Sequence, residues 1–391
     1  MERFSEAAKR LKGQEMFQIL AKTQELEREG RQILHFELGD PDFNTPENIV
    51  NVAINSLKNG ETHYTNSYGL LELRATAARA METGIRGFKP DLDQILVTPG
   101  ANIEIYYAAV CTTNPGEEII VPDPGFVSYF AVLDFLGIKS VRVPLHEKNE
   151  FRLNPADVEK AITDKTRMII LNSPSNPTGS VMTEEEIRNV YNIAKVKDIY
   201  ILTDEVYRRL FYGDEKNRFF SPSMIDQCKE RTIVANGFSK SYAMTGWRLG
   251  VMIGPSDIIT KMNLLLETTS SCVSPFIQRG GIEALCGSQE IVNNMVNEYR
   301  RRRDIIVDGL NSLPGVKCIK PKGAFYAFPN ITKTGMNSKE FADFMLNEAG
   351  VAVAPGNIFG DYGEGYIRMA YANSVENIKV GISRMNYALK K

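Results

Sequence analysis

Histidine and cysteine are scarce in this chain of 391 residues. The three histidines, His35, His63 and His146, lie too far apart in the sequence to suggest a zinc site. The five cysteines show no Cys-x-x-Cys spacing, and an odd number in a long chain is a poor basis for a disulfide framework. They are Cys111, Cys228, Cys272, Cys286 and Cys318. We therefore expect a cytoplasmic protein with reduced thiols and no metal.

An excess of charge of one sign and a long apolar run are also missing. The formal net charge is −2, which gives no reason to expect a nucleic acid or an anionic membrane as a partner. The basic run RRRR at 300–303 is predicted to be a solvated helix face. No apolar run reaches about 18 residues, and the opening MERFSEAAKRLKGQEM is amphipathic rather than signal-like. We expect no membrane association.

From about residue 90, short runs rich in β-branched residues alternate with segments of helix length. Examples are DQILVTPG, GEEIIVPDPG, TRMIILN and IYILTDEVY. This alternation predicts an α/β fold in which a mostly parallel sheet is covered by helices on both faces. RLGVMIG follows RTIVANGFSK too closely for a helical crossover, so we predict that it is an antiparallel strand of the same sheet.

After about residue 285 the pattern changes. SQEIVNNMVNEYRRRRDIIVDGLNSL is predicted to form one long helix, and GVKCIKPKGAFYAFPNI is predicted to form strands. NSKEFADFMLNEAG has the Asn-Ser start, first-turn Glu and final Gly of a capped helix. We predict a large domain over 46–285 and a smaller α+β domain made of 1–45 and 286–391.

Residues that could take part in binding or catalysis directly follow several of the predicted strands. They are Gly100, Asn176, Asp204, Tyr207 and Lys240. Ligands of α/β sheets bind at the carboxyl ends of the strands, so these residues can meet along one edge. Each also has a structural interpretation: Asp204 can cap a helix, and Asn176 with the following proline can form a turn.

Together these residues match a cofactor with an aldehyde, a phosphate and a ring nitrogen. An aldehyde needs a lysine, for which Lys240 is the candidate. A phosphate needs backbone N–H groups at a helix start and an arginine, which residues 100–102 and Arg248 supply. The ring nitrogen needs a carboxylate that keeps it protonated, and Asp204 offers one.

The set resembles the class I/II pyridoxal-phosphate-dependent aminotransferases of fold type I, the aspartate aminotransferase superfamily. The resemblance extends over nearly the whole chain and implies a mostly parallel seven-stranded sheet between helices, with a smaller α+β domain. It implies pyridoxal 5'-phosphate as cofactor and a ping-pong transfer from an L-amino acid to a 2-oxo acid, commonly 2-oxoglutarate. The matching stretches are FELGDPDF, HYTNSYGLLELR, VTPGANIE, DPGFVSY, NSPSNPTG, TDEVY, GFSKSYAMTGWRLG, GAFYAF, APGNIFG and YIRMAYA.

The resemblance implies that Lys240, Asp204 and Tyr207 are the catalytic residues. Lys240 would form the Schiff base with the cofactor and later shuttle the proton. Asp204 would pair with the pyridine nitrogen, while Asn176 and Tyr207 would hydrogen-bond the phenolic oxygen. Phe126 would stack on the ring, although it can also be an ordinary core residue.

The resemblance also implies how phosphate is held. Gly100, Ala101 and Asn102 would offer the start of a helix to the phosphate, joined by Ser239 and Arg248. Tyr64 would reach the phosphate from a second subunit, which implies a homodimer with shared active sites.

Arg368 would grip the substrate α-carboxylate by a two-point fork, and Gly39 would leave room beside its backbone N–H. Asn176 is expected to contact the substrate as well. The segment GQEMFQIL, with Met16, Phe17 and Leu20, favours an apolar or aromatic substrate side chain. Aspartate, aromatic amino acids, alanine and less common amino acids all stay open as donors.

The sequence departs from the family pattern at two positions. Gly237 stands where many members carry a hydroxyl three residues before the lysine, so the phosphate has one ligand fewer. Phe126 stands where tryptophan or tyrosine is common, and it offers a ring face without a polar group.

Three other functions are alternatives to this interpretation. A β-lyase that cleaves carbon–sulfur bonds shares this fold and lysine, and it is the main alternative. A ligand-sensing part of a transcription regulator would need a DNA-binding module, for which 45 N-terminal residues are too few. A dehydrogenase would need GxGxxG after its first strand, and PGANIE lacks it.

Overall fold

The computed structural model describes residues 3–11, 13, 15–85, 87–213 and 219–391, without the side chains of Glu15 and Phe17. The helices are α1 Glu6–Arg10, α2 Glu15–Arg28, α3 Glu47–Lys58, α4 Leu71–Gly84, α5 Ala101–Thr112, α6 Val127–Leu136, α7 Pro155–Ala161, α8 Glu184–Lys197, α9 Ser223–Asp226, α10 Ser256–Ser270, α11 Pro275–Cys286, α12 Glu290–Asn311, α13 Ser338–Phe344 and α14 Val375–Lys390. The strands are β1 Leu34–His35, β2 Ile95–Thr98, β3 Glu118–Asp123, β4 Lys139–Pro144, β5 Thr166–Asn172, β6 Tyr200–Asp204, β7 Thr232–Gly237, β8 Gly250–Ile253, β9 Tyr326–Ala327, β10 Val351–Ala352, β11 Ala354–Pro355 and β12 Ile367–Ala370.

A seven-stranded sheet lies at the centre of the molecule, in the order β2-β8-β7-β6-β5-β3-β4. The neighbours from β7 to β4 pair in parallel, and β8 runs antiparallel to both β2 and β7. The predicted mostly parallel sheet and the antiparallel strand in RLGVMIG are both confirmed. Since β5, β6 and β7 are parallel neighbours, the residues that follow them lie at one edge.

The sheet is buried on both faces, as its continuous apolar runs predict. In β5, Met168 and Ile170 pack in the cluster that includes side chains of α5, α6 and α10. Ile169 and Leu171 point the other way and pack in the cluster of α7 and α8. Each such side chain, fully withdrawn from water, contributes roughly 1.5–3 kcal/mol, so this layer holds the strand ends firmly in place.

The C-terminal part contains a second sheet of three antiparallel strands, β11-β12-β9. The N-terminal segment reaches this part, because β1 pairs in parallel with β10. One apolar cluster runs without interruption from Val97 and Leu249 to Ile306 and Phe341. The boundaries of the two predicted domains stay a prediction.

Two sequence predictions for this part differ from the structure. GVKCIKPKGAFYAFPNI forms one short strand, β9, with an isolated bridge between Lys317 and Asn330. Pro321 lies between these pieces and cannot donate to a ladder. The structure confirms the long helix as α12 and the capped helix as α13, where Asn337 and Glu340 form a capping box.

The basic run at 300–303 is not a wholly solvated face, which corrects the prediction. Arg302 and Arg303 are buried. Arg302 Nη1 donates to both carboxylate oxygens of Asp42, at 2.7 and 2.8 Å, and its guanidinium lies over Phe43. A buried guanidinium needs such partners; the partners are remote in sequence, so the local pattern could not reveal them.

Within the described ranges, every helix is too short or too polar to span a lipid bilayer.

Candidate active site

A cavity of about 450 Å³ opens where β5, β6 and β7 end. Eleven of the residues predicted from the sequence line it: Gly39, Ala101, Asn102, Phe126, Asn176, Asp204, Tyr207, Ser239, Lys240, Arg248 and Arg368. Gly100 lies directly behind this lining, at the N-cap of α5. The predicted residues therefore converge although up to 329 positions separate them, counted from Gly39 to Arg368 (368 − 39).

Lys240 lies at the base of the cavity, three residues beyond β7. Its Nζ donates a hydrogen bond of 2.6 Å to the carbonyl oxygen of Gly39. Burial, together with the nearby Arg368 and Arg248, lowers the pKa of Lys240 to about 8, while Asp40 opposes this shift. An amine with this pKa has a large neutral fraction near pH 8, which nucleophilic and base chemistry both require.

Asp204 is the last residue of β6 and is 6% exposed. Its Oδ2 accepts a 2.6 Å hydrogen bond from the Tyr129 hydroxyl, and its Oδ1 accepts one of 3.2 Å from the N–H of Val206. Burial raises the pKa of Asp204, and these two hydrogen bonds oppose that rise because they stabilise the charged form. Asp204 therefore ends β6, and its side chain stabilises the turn that follows. It does not cap a helix, which was its alternative structural interpretation.

Tyr129 was not predicted as a site residue. It is fully buried in α6, and its ring meets Phe126 edge-on with centroids 5.6 Å apart. The signal available in the sequence was its place three residues after Phe126, which is the spacing of neighbours on one helix face.

Tyr207 and Asn176 line the cavity on either side of this carboxylate. The Tyr207 hydroxyl shares a 2.7 Å hydrogen bond with the hydroxyl of Tyr326. Asn176 Oδ1 accepts a 2.9 Å hydrogen bond from Arg368 Nη1, and the peptide bond between Asn176 and Pro177 is cis. Tyr326, in GAFYAF, is a second site residue to which no role was assigned from the sequence.

Arg368 belongs to β12 and is 2% exposed. Its Nη2 donates to the carbonyl oxygen of Glu37, and its guanidinium lies 4.5 Å from the ring centre of Tyr326. Its Nε is buried and finds no hydrogen-bond partner among the described residues. A buried cation with a spare donor suits an anionic ligand.

Two glycines make room in this site. Gly39 allows the main chain to approach Tyr326, because a Cβ at position 39 would lie 2.0 Å from the Tyr326 hydroxyl oxygen. Gly100 has a φ of +91°, and a Cβ there would lie 2.5 Å from Arg248 Nη2. The guanidinium of Arg248 is thereby admitted to the N-terminus of α5, where free backbone N–H groups favour an anion.

Tyr64 is a predicted site residue that the structure does not bring to the cavity. Its side chain is 87% exposed, and it does not line the cavity. The predicted role of Tyr64 requires a second copy of the chain, so this placement leaves that role a prediction.

The substrate side of the cavity has apolar walls from the N-terminal segment. Met16 is buried in α2, with its Sδ 3.5 Å from Arg368 Nη2, and Leu38 lines the cavity beside it. Leu20 is not a lining residue. The side chain of Phe17 lies outside the described residues.

The donors present fit pyridoxal 5'-phosphate. The cavity holds one amine of lowered pKa, one buried carboxylate, a helix N-terminus beside Arg248 and an aromatic face at Phe126. Among the described residues, no three His, Cys, Asp or Glu side chains are arranged to hold a metal ion.

Comparisons with known proteins agree with this geometry. The profile of the family described as aminotransferase class I and II matches residues 31–385. The chain is 41% identical over 362 residues to aromatic-amino-acid aminotransferase 2 of Thermococcus litoralis, with 92% of both chains covered. It is 40% identical over 384 residues to an aspartate aminotransferase of Pyrococcus horikoshii, covering 98% of this chain and 95% of that protein.

A solved structure, the aspartate aminotransferase from Rhizobium meliloti, superposes with a TM-score of 0.95 at 31% identity. The superposition covers 100% of this chain and 99% of that chain.

Proposed function

Because the chain belongs to the class I and II aminotransferases, we propose that it moves the amino group of an apolar or aromatic L-amino acid to a 2-oxo acid. The chain is a pyridoxal-phosphate-dependent transaminase; the identity of the donor and acceptor is the proposed part. The choice of donor rests on the number of positively charged side chains that line the cavity and on the group that each can bind.

Three cations line the cavity: Lys240, Arg248 and Arg368. Arg248 beside the N-terminus of α5 suits the cofactor phosphate, and Arg368 with its spare Nε suits the α-carboxylate. Lys240 is committed to the cofactor aldehyde. Among the described lining residues, none is left to pair with a second carboxylate, whereas Met16 and Leu38 offer apolar surface to a substrate side chain.

When bound, pyridoxal phosphate supplies an electron sink that makes the substrate α-C–H bond acidic. Asp204 would pair with the pyridine nitrogen, and the hydrogen bond from Tyr129 would stabilise the charged form of this buried carboxyl. Tyr207 and Asn176 would hold the phenolic oxygen, and Phe126 would cover one face of the ring.

Lys240 moves the proton. In its neutral form, the Lys240 Nζ would take the proton from the substrate α-carbon. The lowered pKa, about 8, makes that state accessible near neutral pH. Two neighbouring strands fix the positions of Lys240 and Asp204 relative to each other, since Lys240 follows β7 and Asp204 ends the adjacent β6.

The acceptor we propose is 2-oxoglutarate, as is common in the resembling family. Arg368 would bind the carboxylate next to its keto group, as it binds that of the donor. The distal carboxylate would need a partner outside the described lining residues, from water at the mouth or from a second copy.

A donor screen with 2-oxoglutarate tests the substrate proposal. We expect kcat/KM for phenylalanine or tyrosine to exceed that for aspartate by about tenfold or more, corresponding to roughly 1.4 kcal/mol. Met16→Lys adds a cation near Arg368, so it should improve aspartate relative to phenylalanine, while Met16→Leu should not. Strong turnover of aspartate with none of phenylalanine would reject an apolar pocket.

The β-lyase alternative receives no support from the relatives, which are named as aminotransferases. A lyase would release pyruvate and ammonia from cystathionine without any 2-oxo acid. We expect no pyruvate above background in that assay.

A homodimer in the cytoplasm is part of the proposal. Tyr64 is 87% exposed, so its side chain is accessible to a second copy of the chain. All five cysteines are free thiols, in keeping with a reducing compartment.

We also propose the division into a large domain over 46–285 and a small domain of 1–45 with 286–391. Its support is that α11 packs on α3 and α4 while β1 pairs with β10.

A further inference from the structure

Glu104 is a buried carboxyl that the proposed chemistry does not use. It lies in the first turn of α5 and is 0% exposed. Glutamate is seldom fully buried unless it is paired, because removing its charge from water is costly. Its position, two residues beyond Asn102, places it behind the proposed phosphate-binding start of α5.

The carboxyl of Glu104 joins three segments. Oε1 lies 2.6 Å from the Thr98 hydroxyl at the end of β2, and Oε2 accepts a 3.0 Å hydrogen bond from the N–H of Asn236 in β7. Both partners lie outside α5, in β2 and in β7. Glu104 therefore links α5 to two strands of the sheet by hydrogen bonds.

Glycines clear the space that this carboxyl occupies. A Cβ on Gly250 would lie 2.6 Å from Glu104 Oε1 and 2.5 Å from Thr98 Oγ1. A Cβ on Gly237 would lie 3.2 Å from the Cβ of Ala101. The backbone of β7 and β8 thus comes close enough to the first turn of α5 for one side chain to connect them.

The connected segments carry the two halves of the proposed phosphate site. The start of α5 supplies Ala101 and Asn102, whereas β7 continues into Ser239 and Lys240. We propose that Glu104 is a positioning residue that sets the distance between these halves and thereby fixes how tightly phosphate is held. This inference rests on the proposed cofactor site and extends it to a residue that does not line the cavity.

Glutamine can replace Glu104 without breaking this arrangement. Burial raises the pKa of Glu104 well above its usual range, and the nearby Asp204 raises it too, while the Thr98 hydrogen bond opposes them. Because burial disfavours a charge at this position, a glutamine, which has the same shape and no charge, suits the site. Its Oε1 can accept from the Asn236 N–H, and its Nε2 can donate to Thr98 Oγ1.

The test compares the binding of pyridoxal 5'-phosphate and of pyridoxal, which lacks the phosphate, to the apoprotein by absorbance titration. The informative quantity is the ratio of the two dissociation constants, since it isolates the phosphate. Glu104→Ala removes both hydrogen bonds and leaves the partly buried N–H of Asn236 without this partner. We expect the phosphate advantage to fall about tenfold or more, with pyridoxal affinity nearly unchanged.

Two variants serve as controls. Glu104→Gln should keep the phosphate advantage within about twofold of wild type. Glu118→Ala removes another buried, hydrogen-bonded glutamate at the start of β3, with Thr163 and Lys139 as its partners. It should lower stability without changing the ratio, because Glu118 does not line the cavity.

An unchanged ratio in folded Glu104→Ala overturns the proposal, whether the affinities for both ligands are retained or fall by the same factor. Should that variant fail to fold, Thr98→Val decides, since it removes one of the two bonds; a ratio equal to that of wild type then overturns the proposal. Wild-type apoprotein that binds neither ligand would instead refute the proposed cofactor site, so the two failures are distinguishable.

Discussion

Single charged side chains set the character of the cavity. Asp204 is a buried carboxylate at the end of β6, and Lys240, Arg248 and Arg368 are the cations that line the same space. A bound phosphate and a substrate carboxylate would bring negative charge to this excess of positive charge. Each cation would then have an anionic or electrophilic partner, which matters most for Arg368, because an unpaired buried charge is costly.

The Tyr129–Asp204 hydrogen bond leads to a prediction at this scale. Tyr129→Phe removes the 2.6 Å donor to Asp204 Oδ2. Without it the charged carboxylate is less stable, so its pKa rises further above that of a solvated aspartate. We expect kcat to fall about tenfold, as for loss of a hydrogen bond to a charged group worth roughly 1.5 kcal/mol.

The diagnostic readout is the pH profile of kcat, whose acidic limb should move to higher pH in Tyr129→Phe. Tyr191→Phe is the matched control, since the hydroxyl of Tyr191 lies 3.5 Å from Glu230 and away from the cavity. A fall in kcat with no movement of the acidic limb would show that the effect of Tyr129 is steric.

At the scale of elements, the N-terminal helix α2 is attached to the rest of the protein by a few polar contacts. His35 in β1 bonds with both ring nitrogens, to Glu37 at 2.8 Å and to Glu27 of α2 at 3.0 Å. Lys22 pairs with Asp343 at 2.8 Å. Because α2 also carries Met16, its attachment affects the substrate side of the cavity.

This attachment should depend on pH. The hydrogen bond to Glu37 raises the pKa of His35 from 6.5 to about 9, helped by Glu27 and opposed by burial. A raised pKa means that the stabilisation is complete below pH 6.5 and is lost as the pH rises through 9. His35 is partly exposed, so we expect a loss of about 0.5–1 kcal/mol, or about 2 °C in Tm.

Thermal unfolding between pH 6 and 10 measures this loss. His35→Gln should remove that part of the pH dependence, whereas His63→Gln, at an exposed position, should leave it intact. Parallel curves for wild type and His35→Gln would contradict the prediction.

For the whole molecule, the sequence best predicts features that depend on a few neighbouring residues. Short motifs at the strand ends identified Asp204, Asn176 and Lys240, and the structure places all three on one cavity. The sheet and its antiparallel strand also followed from local pattern, because strand length and β-branched content are properties of a few neighbouring residues.

What escaped prediction depends on contacts between distant segments. Tyr129 meets Asp204 across 75 positions, and Tyr326 meets Tyr207 across 119. The burial of Arg302 depends on Asp42, which is 260 positions away. Such pairs are created by packing of the folded chain. The spacing of Tyr129 from Phe126 could place it near the site, but it could not reveal Asp204 as its partner.

The predicted role of Tyr64 also depends on a contact that the local sequence does not show, in this case a contact between two chains. Its exposed side chain cannot serve the cavity of its own chain as described, so its predicted role requires a partner. Tyr64→Ala should then weaken pyridoxal 5'-phosphate binding by about tenfold, the cost of one hydrogen bond to a charged group. Sedimentation should show a dimer; a fully active monomer would refute the shared site.

Mixed dimers decide in which chain Tyr64 acts. Lys240→Ala removes the amine from its own cavity, so homodimers of this variant should be inactive, and Tyr64→Ala homodimers should be weak at low cofactor concentration. If Tyr64 serves the neighbouring cavity, a dimer of one chain of each kind contains one cavity with both native residues. Activity at low cofactor should therefore rise on refolding the two variants together, whereas a Tyr64 that served its own cavity would leave every cavity with a defect and give no rise.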